Sequence, residues 1–181
     1  MRMQRVVIVG TSGAGKTTLG KRLATALHAP FIELDAVHWQ AGWTPNPEFA
    51  SDVLQKLDTP RWVVDGNYSS KGQSEILNLA DTIIWLDYSV GTKLWRLSSR
   101  SLRRIMTREV LWNGNAETLK GQFWGGDALF IWFFKTHWKQ RRRYTALFAD
   151  APTGLVCHRL YEPQEAKRLL ETVALERREL V

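Results

Sequence analysis

Gly10-Thr-Ser-Gly-Ala-Gly-Lys-Thr-Thr18 follows directly on the run Val6–Val9 and leads into LGKRLATAL. Glycines at this spacing let consecutive backbone N–H groups curl around phosphate oxygens, and the helix that follows adds its positive N-terminal end. The pattern satisfies G-x-x-x-x-G-K-[ST]. Gly10, Thr11, Ser12, Gly13, Ala14, Gly15, Lys16, Thr17 and Thr18 are therefore expected to cradle a nucleoside triphosphate. In that cradle Lys16 reaches the β- and γ-phosphates, and the Thr17 hydroxyl ligates Mg²⁺. The plain alternative is a glycine-rich turn beside a surface lysine. It is disfavoured because a buried strand precedes the motif and an amphipathic helix follows it, as phosphate binding requires.

A second acid is needed to order a phosphate-bound magnesium ion. Asp65, which ends the run WVVD, is the preferred metal residue; Asp87, which ends IIWLD, is the rival. Either is also the kind of strand-end aspartate that caps a turn. A stripe of Arg96, Arg100, Arg103/Arg104 and Thr107/Arg108 recurs at helical spacing, and Arg141–Arg143 follow later. Singly these are solvated charges; as a stripe returning near a phosphate loop they are suited to clamp phosphate.

These residues need a scaffold, and the hydrophobic pattern outlines one. Val6–Val9, Phe31–Leu34 (ending at Asp35), Trp62–Val64, Thr82–Leu86 and Leu155–Leu160 read as five strands. Between them Leu19, Leu23 and Leu27 form one helical stripe. Asn46-Pro47 opens a helix that buries Phe49, Val53, Leu54 and Leu57. A last helix starts at Pro163 with Ala166, Leu169, Leu170 and Val173 inward. Such alternation predicts a parallel α/β sheet flanked by helices. The stretch 90–148 interrupts it. A basic helix with Leu94, Leu97, Leu102 and Ile105 on one side is followed by glycine-punctuated LWNGNAETLKGQFWGGD, then by a second basic helix through KQRRRY. Gly114, Gly121, Gly125 and Gly126 would let this segment close as a cover.

At 181 residues, with 44% hydrophobic and 24% charged residues, the chain is a single globular domain. Its one cysteine, Cys157, excludes an internal disulfide, and no apolar run approaches the roughly 20 residues that span a bilayer. A cytoplasmic protein with no membrane partner is expected; the oligomeric state stays open. The net charge of +7 is concentrated between Lys93 and Arg143, where 12 Lys/Arg face three acids. That localisation favours an anionic ligand at one site. Nucleic acid is a possible partner that it does not favour.

The order GTSGAGKTT, ELDAVHW, WVVDGNY, IIWLD, RSLRR, LWNGNAE resembles the adenylate-kinase-like P-loop kinases of bacteria. Within them it is similar to the FlaR-related family labelled DNA topology modulation protein. The resemblance implies a P-loop NTPase fold over residues 1–181. Its five-stranded parallel sheet would have the order 2-3-1-4-5, with a helical LID insertion at about 108–140. It implies that Arg100 packs on the nucleotide base, that Arg104 meets the phosphates, that one of Arg141, Arg142 and Arg143, with Arg141 the choice, meets the transferring group, and that ATP with Mg²⁺ is the phosphoryl donor. Nucleotide kinases of this class grip their acceptor phosphate with arginines, yet Asp35 to Pro60 contains only Lys56. Asp35, His38, Trp39, Trp43 and Tyr68 occupy that region instead. This resembles kinases of small-molecule hydroxyls, with Asp35 catalytic and Asp35, His38, Trp39 and Tyr68 binding the acceptor. A nucleoside or nucleotide kinase and an ATP-linked nucleic-acid regulator are the alternatives. Trp39 and Trp43 as core residues, and His38 as a hydrogen-bonded strand-end residue, are the plain readings.

Overall fold

The computed structural model describes residues 3–67, 72–107, 110, 112–115 and 129–178. Five parallel strands form the central sheet: β1 (Arg5–Val9), β2 (Phe31–Glu33), β3 (Trp62–Asp65), β4 (Thr82–Leu86) and β5 (Val156–Leu160). Their spatial order is 2-3-1-4-5, as expected. Valine and isoleucine dominate β1, β3 and β4 because those strands are covered on both faces, where β-branched side chains pack well. Val6, Ile8, Val63 and Ile84 face one layer of core, and Val7, Val9, Val64 and Ile83 face the other.

Helices fill both layers. α1 (Lys16–Leu27) and the last helix, Pro163–Arg178, cover the first face through Leu19, Leu23, Leu27, Ala166, Leu170 and Val173. The second face is covered by three further helices. α3 (Phe49–Leu57) contributes Phe49, Val53 and Leu57, and α4 (Gly72–Leu79) contributes Ile76. α6 (Leu129–Ala149) contributes Tyr144, with Leu147 and Phe148 beside it. α5 (Val90–Thr107) runs from the end of β4 and buries Leu97. The helix Pro163–Arg178 is α7.

Several local expectations shift. Leu34 leaves the sheet and begins a short helix, α2 (Leu34–His38), so Asp35 sits on that helix and not at a strand end. Past it lies a small antiparallel hairpin, Trp39–Gln40 with Thr44–Pro45, which the sequence reading missed along with α4. The Asn46 Oδ1 accepts from Glu48 N at 3.0 Å, so Asn46 starts a turn and α3 begins only at Phe49. Leu54 is exposed rather than inward, and Leu102, on the apolar side of α5, is exposed as well. Helical periodicity alone does not say how wide a stripe the neighbouring layer covers.

Candidate active site

The phosphate loop joins β1 to α1. A Cβ on Gly13, whose φ is +78°, would lie 2.3 Å from the backbone oxygen of Lys93, so only glycine lets α5 press against the loop here. Ala14 N donates to Thr11 O at 3.2 Å, and Lys16 Nζ approaches the same oxygen at 3.5 Å. From α5, Arg96 Nη1 reaches Ala14 O at 3.4 Å. Its guanidinium carbon also lies 5.5 Å from the Tyr88 ring centroid. The sequence reading had Arg96 in the phosphate-clamping stripe and carried individual roles only to other arginines.

Strand register brings two acids together where α1 starts. Glu33 on β2 pairs with Asp65 on β3, and Asp65 pairs with Ile8 of β1. Thr17 Oγ1 donates to Asp65 Oδ2 at 2.5 Å, with Glu33 Oε1 at 3.3 Å. Asp65 is only 3% exposed, and its Oδ1 meets no donor among the described residues. Burial pushes its carboxyl up to about 6, aided by the negative charges of Asp35 and Glu33 and opposed by Lys16 and the Thr17 hydrogen bond. A buried carboxylate oxygen without a donor, beside a threonine hydroxyl and a phosphate loop, fits a divalent cation. Among the described residues no cluster of three or more His, Cys, Asp or Glu would hold a metal by itself. Phosphate oxygens and water must then complete the shell, as magnesium usually requires.

The rival acid has other partners. Asp87 Oδ2 accepts from Arg159 Nη2 at 2.7 Å and from Arg141 Nε at 3.4 Å. Arg159 in turn lies 4.1 Å from the Trp85 ring centroid. Next to this ion network Lys93 is buried, with Nζ 3.3 Å from His137 Nδ1. Burial pulls the Lys93 ammonium down to about 8, and the His137 imidazole is lowered too. Arg100 and Arg104 are half-buried on α5, one and two turns beyond Arg96.

Beyond β2, Asp35 and His38 share α2, and Trp39 opens the hairpin. His38 packs edge-on against Trp39 at 4.6 Å and Phe49 at 5.2 Å. Trp39 meets Trp43 at 5.8 Å, and Trp43 meets Trp112 at 6.3 Å. Neither Trp39 nor Trp43 is a core residue: the first is half-buried and the second exposed. The segment 112–115 is fastened to this hairpin. Asn115 Oδ1 accepts from Trp43 N at 3.0 Å, and its Nδ2 donates to Gln40 O and Trp112 O, both at 2.9 Å. Asn113 Nδ2 donates to Trp39 O. Tyr68, Glu117, Gly121, Gly125 and Gly126 lie outside the described residues.

A parallel sheet in the order 2-3-1-4-5, a phosphate loop after β1 and a threonine–aspartate pair at its helix define a P-loop kinase. Residues 12–49 match the family model described as shikimate kinase. A shikimate kinase from Rhodococcus jostii is 30% identical over 118 residues, which are 56% of this chain and 70% of the relative. One from Novosphingobium aromaticivorans is 28% identical over 130 residues, 59% of this chain and 67% of the relative. The chain belongs to the shikimate kinase family. Shikimate kinase from Acinetobacter baumannii in complex with shikimate superposes with a TM-score of 0.56 at 16% identity, over 95% of this chain and 91% of that one, a likeness of fold. The protein is an ATP-dependent small-molecule kinase.

Proposed function

We propose that the protein transfers the γ-phosphoryl group of magnesium-bound ATP to a hydroxyl held beside Asp35. The observation that carries this reading is the junction of Thr17, Asp65, Glu33 and Asp35 at the mouth of the phosphate loop. Backbone N–H groups of the loop after Gly10 hold the phosphates, Lys16 supplies charge to the transferring group, and Thr17 and Asp65 hold the cation. Magnesium, when bound, neutralises charge on the β- and γ-oxygens. Asp35 takes the acceptor proton as the acceptor oxygen bonds to the γ-phosphorus and the bond to the bridging oxygen of ADP breaks. Arg100 and Arg104 serve base and phosphate. Arg141 reaches the transferring group from a resting place on Asp87. His38, Trp39 and Tyr68 form the acceptor wall, and residues 108–140 act as the lid. The DGNY and WNGNAE motifs support a FlaR-related reading of the chain within this class.

The test is ATP consumption across a panel of hydroxyl-bearing metabolites that includes shikimate. Lys16→Ala is expected to abolish turnover with the fold intact. Asp35→Asn is expected to keep ATP affinity while lowering kcat by about 10²–10⁴-fold. Full turnover by Asp35→Asn would move the acceptor site elsewhere.

A further inference from the structure

The trailing arm of the insertion is wired to the phosphate loop through a residue to which neither motif nor fold assigns a role. Asn67 follows β3 by two residues. Its Oδ1 accepts from Gly10 N at 3.0 Å, and its Nδ2 donates back to Gly10 O in a short contact. The one side chain thus satisfies both polar backbone groups of the loop's first glycine. The same Oδ1 accepts the hydroxyl of Tyr144 at 3.0 Å. Tyr144 lies on α6, is 1% exposed, and packs against Trp85 of β4 at 5.8 Å.

The donor pattern leaves the amide one orientation. Two donors, the Gly10 N–H and the Tyr144 O–H, face the oxygen, and one acceptor faces the nitrogen. Flipping the amide would set its NH₂ against the Gly10 N–H and its oxygen against the Gly10 carbonyl, whereas the Tyr144 hydroxyl can donate or accept. The Gly10 backbone therefore decides which way the Asn67 amide points, and the Tyr144 hydroxyl, donating to the same oxygen, ties that amide and the start of the loop to α6. A buried polar network of this kind specifies geometry when every member is satisfied. Tyr144 is also three residues beyond Arg141, whose Nε rests on Asp87, so the position of α6 and the shape of the loop are joined by one chain of contacts.

We propose that Asn67 and Tyr144 are positioning residues for nucleotide binding, a latch that holds the phosphate loop in register with α6. The claim rests on the P-loop holding nucleotide and is independent of the acceptor. Mg-ADP is the probe, because it binds without any acceptor. By calorimetry, Tyr144→Phe is expected to weaken Mg-ADP by about 3- to 10-fold, the range for one lost hydrogen bond. Asn67→Asp keeps the oxygen acceptors but loses the donor to Gly10 O and adds charge near the phosphates, so it should weaken Mg-ADP more than Tyr144→Phe. Hydrogen exchange in wild type should slow across residues 144–148 when Mg-ADP binds, and this protection should be lost in Tyr144→Phe.

A merely structural tyrosine would lower the melting temperature yet leave the affinity of the folded protein within two-fold of wild type, and that result overturns the latch. So does wild-type exchange at 144–148 that is indifferent to Mg-ADP, a measurement that needs no variant. Absence of any Mg-ADP binding by wild type would instead remove the nucleotide-site reading on which the latch depends, and the latch with it.

Discussion

At the scale of single residues, the two candidate metal acids differ in what surrounds them. Both follow hydrophobic strand residues and both are buried, so the sequence ranked them only by position. The structure gives Asp87 two arginines and gives Asp65 a threonine hydroxyl and an oxygen with no donor among the described residues. A consequence is pH linkage. With the Asp65 carboxyl raised to about 6, the folded apo protein holds a proton between pH ~4 and ~6 that the unfolded chain has released. Its contribution to stability is present below ~4 and lost as pH rises through 6. A cation seated there displaces that proton. Near pH 6, Mg-ADP binding should therefore release up to about half a proton more from wild type than from Asp65→Asn, with the difference gone by pH 8. Calorimetry in buffers of different ionisation enthalpy measures it, and equal release from the two proteins would exclude Asp65 from the cation site.

Among the elements, the hairpin at 39–45 and the segment 112–115 behave as one piece. Asn115 is buried and spends its whole amide on backbone groups, two of them on the hairpin. The start of the insertion is thereby tied to the hairpin, and its return helix to the phosphate loop. Asn115→Ala should speed exchange of the Trp43 N–H by about tenfold or more, since the lost bond is worth on the order of 1 kcal/mol and leaves buried groups unsatisfied. Once an acceptor is known, its KM should rise while that for ATP stays put. Unchanged exchange at Trp43 would show that the Trp43–Trp112 packing, not Asn115, holds the segment.

Over the whole molecule, charge is organised around the sheet's end. α5 and α6 carry no acids, yet Lys93 is buried against His137, Arg96 turns to the phosphate loop, and Arg141 joins Arg159 on Asp87. This last cluster links the end of β4, the edge strand β5 and α6. Removing this carboxylate strands cations beside one another: Asp87→Asn should cost about 1–3 kcal/mol, toward the low side of values for broken buried pairs because Arg159 is 27% exposed. Urea unfolding measures this, and a loss below about 0.5 kcal/mol would mark the cluster as solvent-screened.

What could be read from residues alone was whatever local spacing enforces. The glycine–lysine–threonine cradle, the five apolar strands and their parallel alternation follow from backbone freedom, dihedral preference and periodic burial within a few residues of chain. The kinase class followed from them, and the comparisons with known proteins agree. Leu34 turning out of the sheet, α4, and the hairpin of two-residue strands carried no such signal, because their pairing depends on distant neighbours. Asn67, Tyr144 and Asn115 were visible as letters in quoted motifs or in a basic helix. Their partners lie 57 to 77 residues away, and a hydrogen bond across that separation exists only once the sheet has brought the segments together.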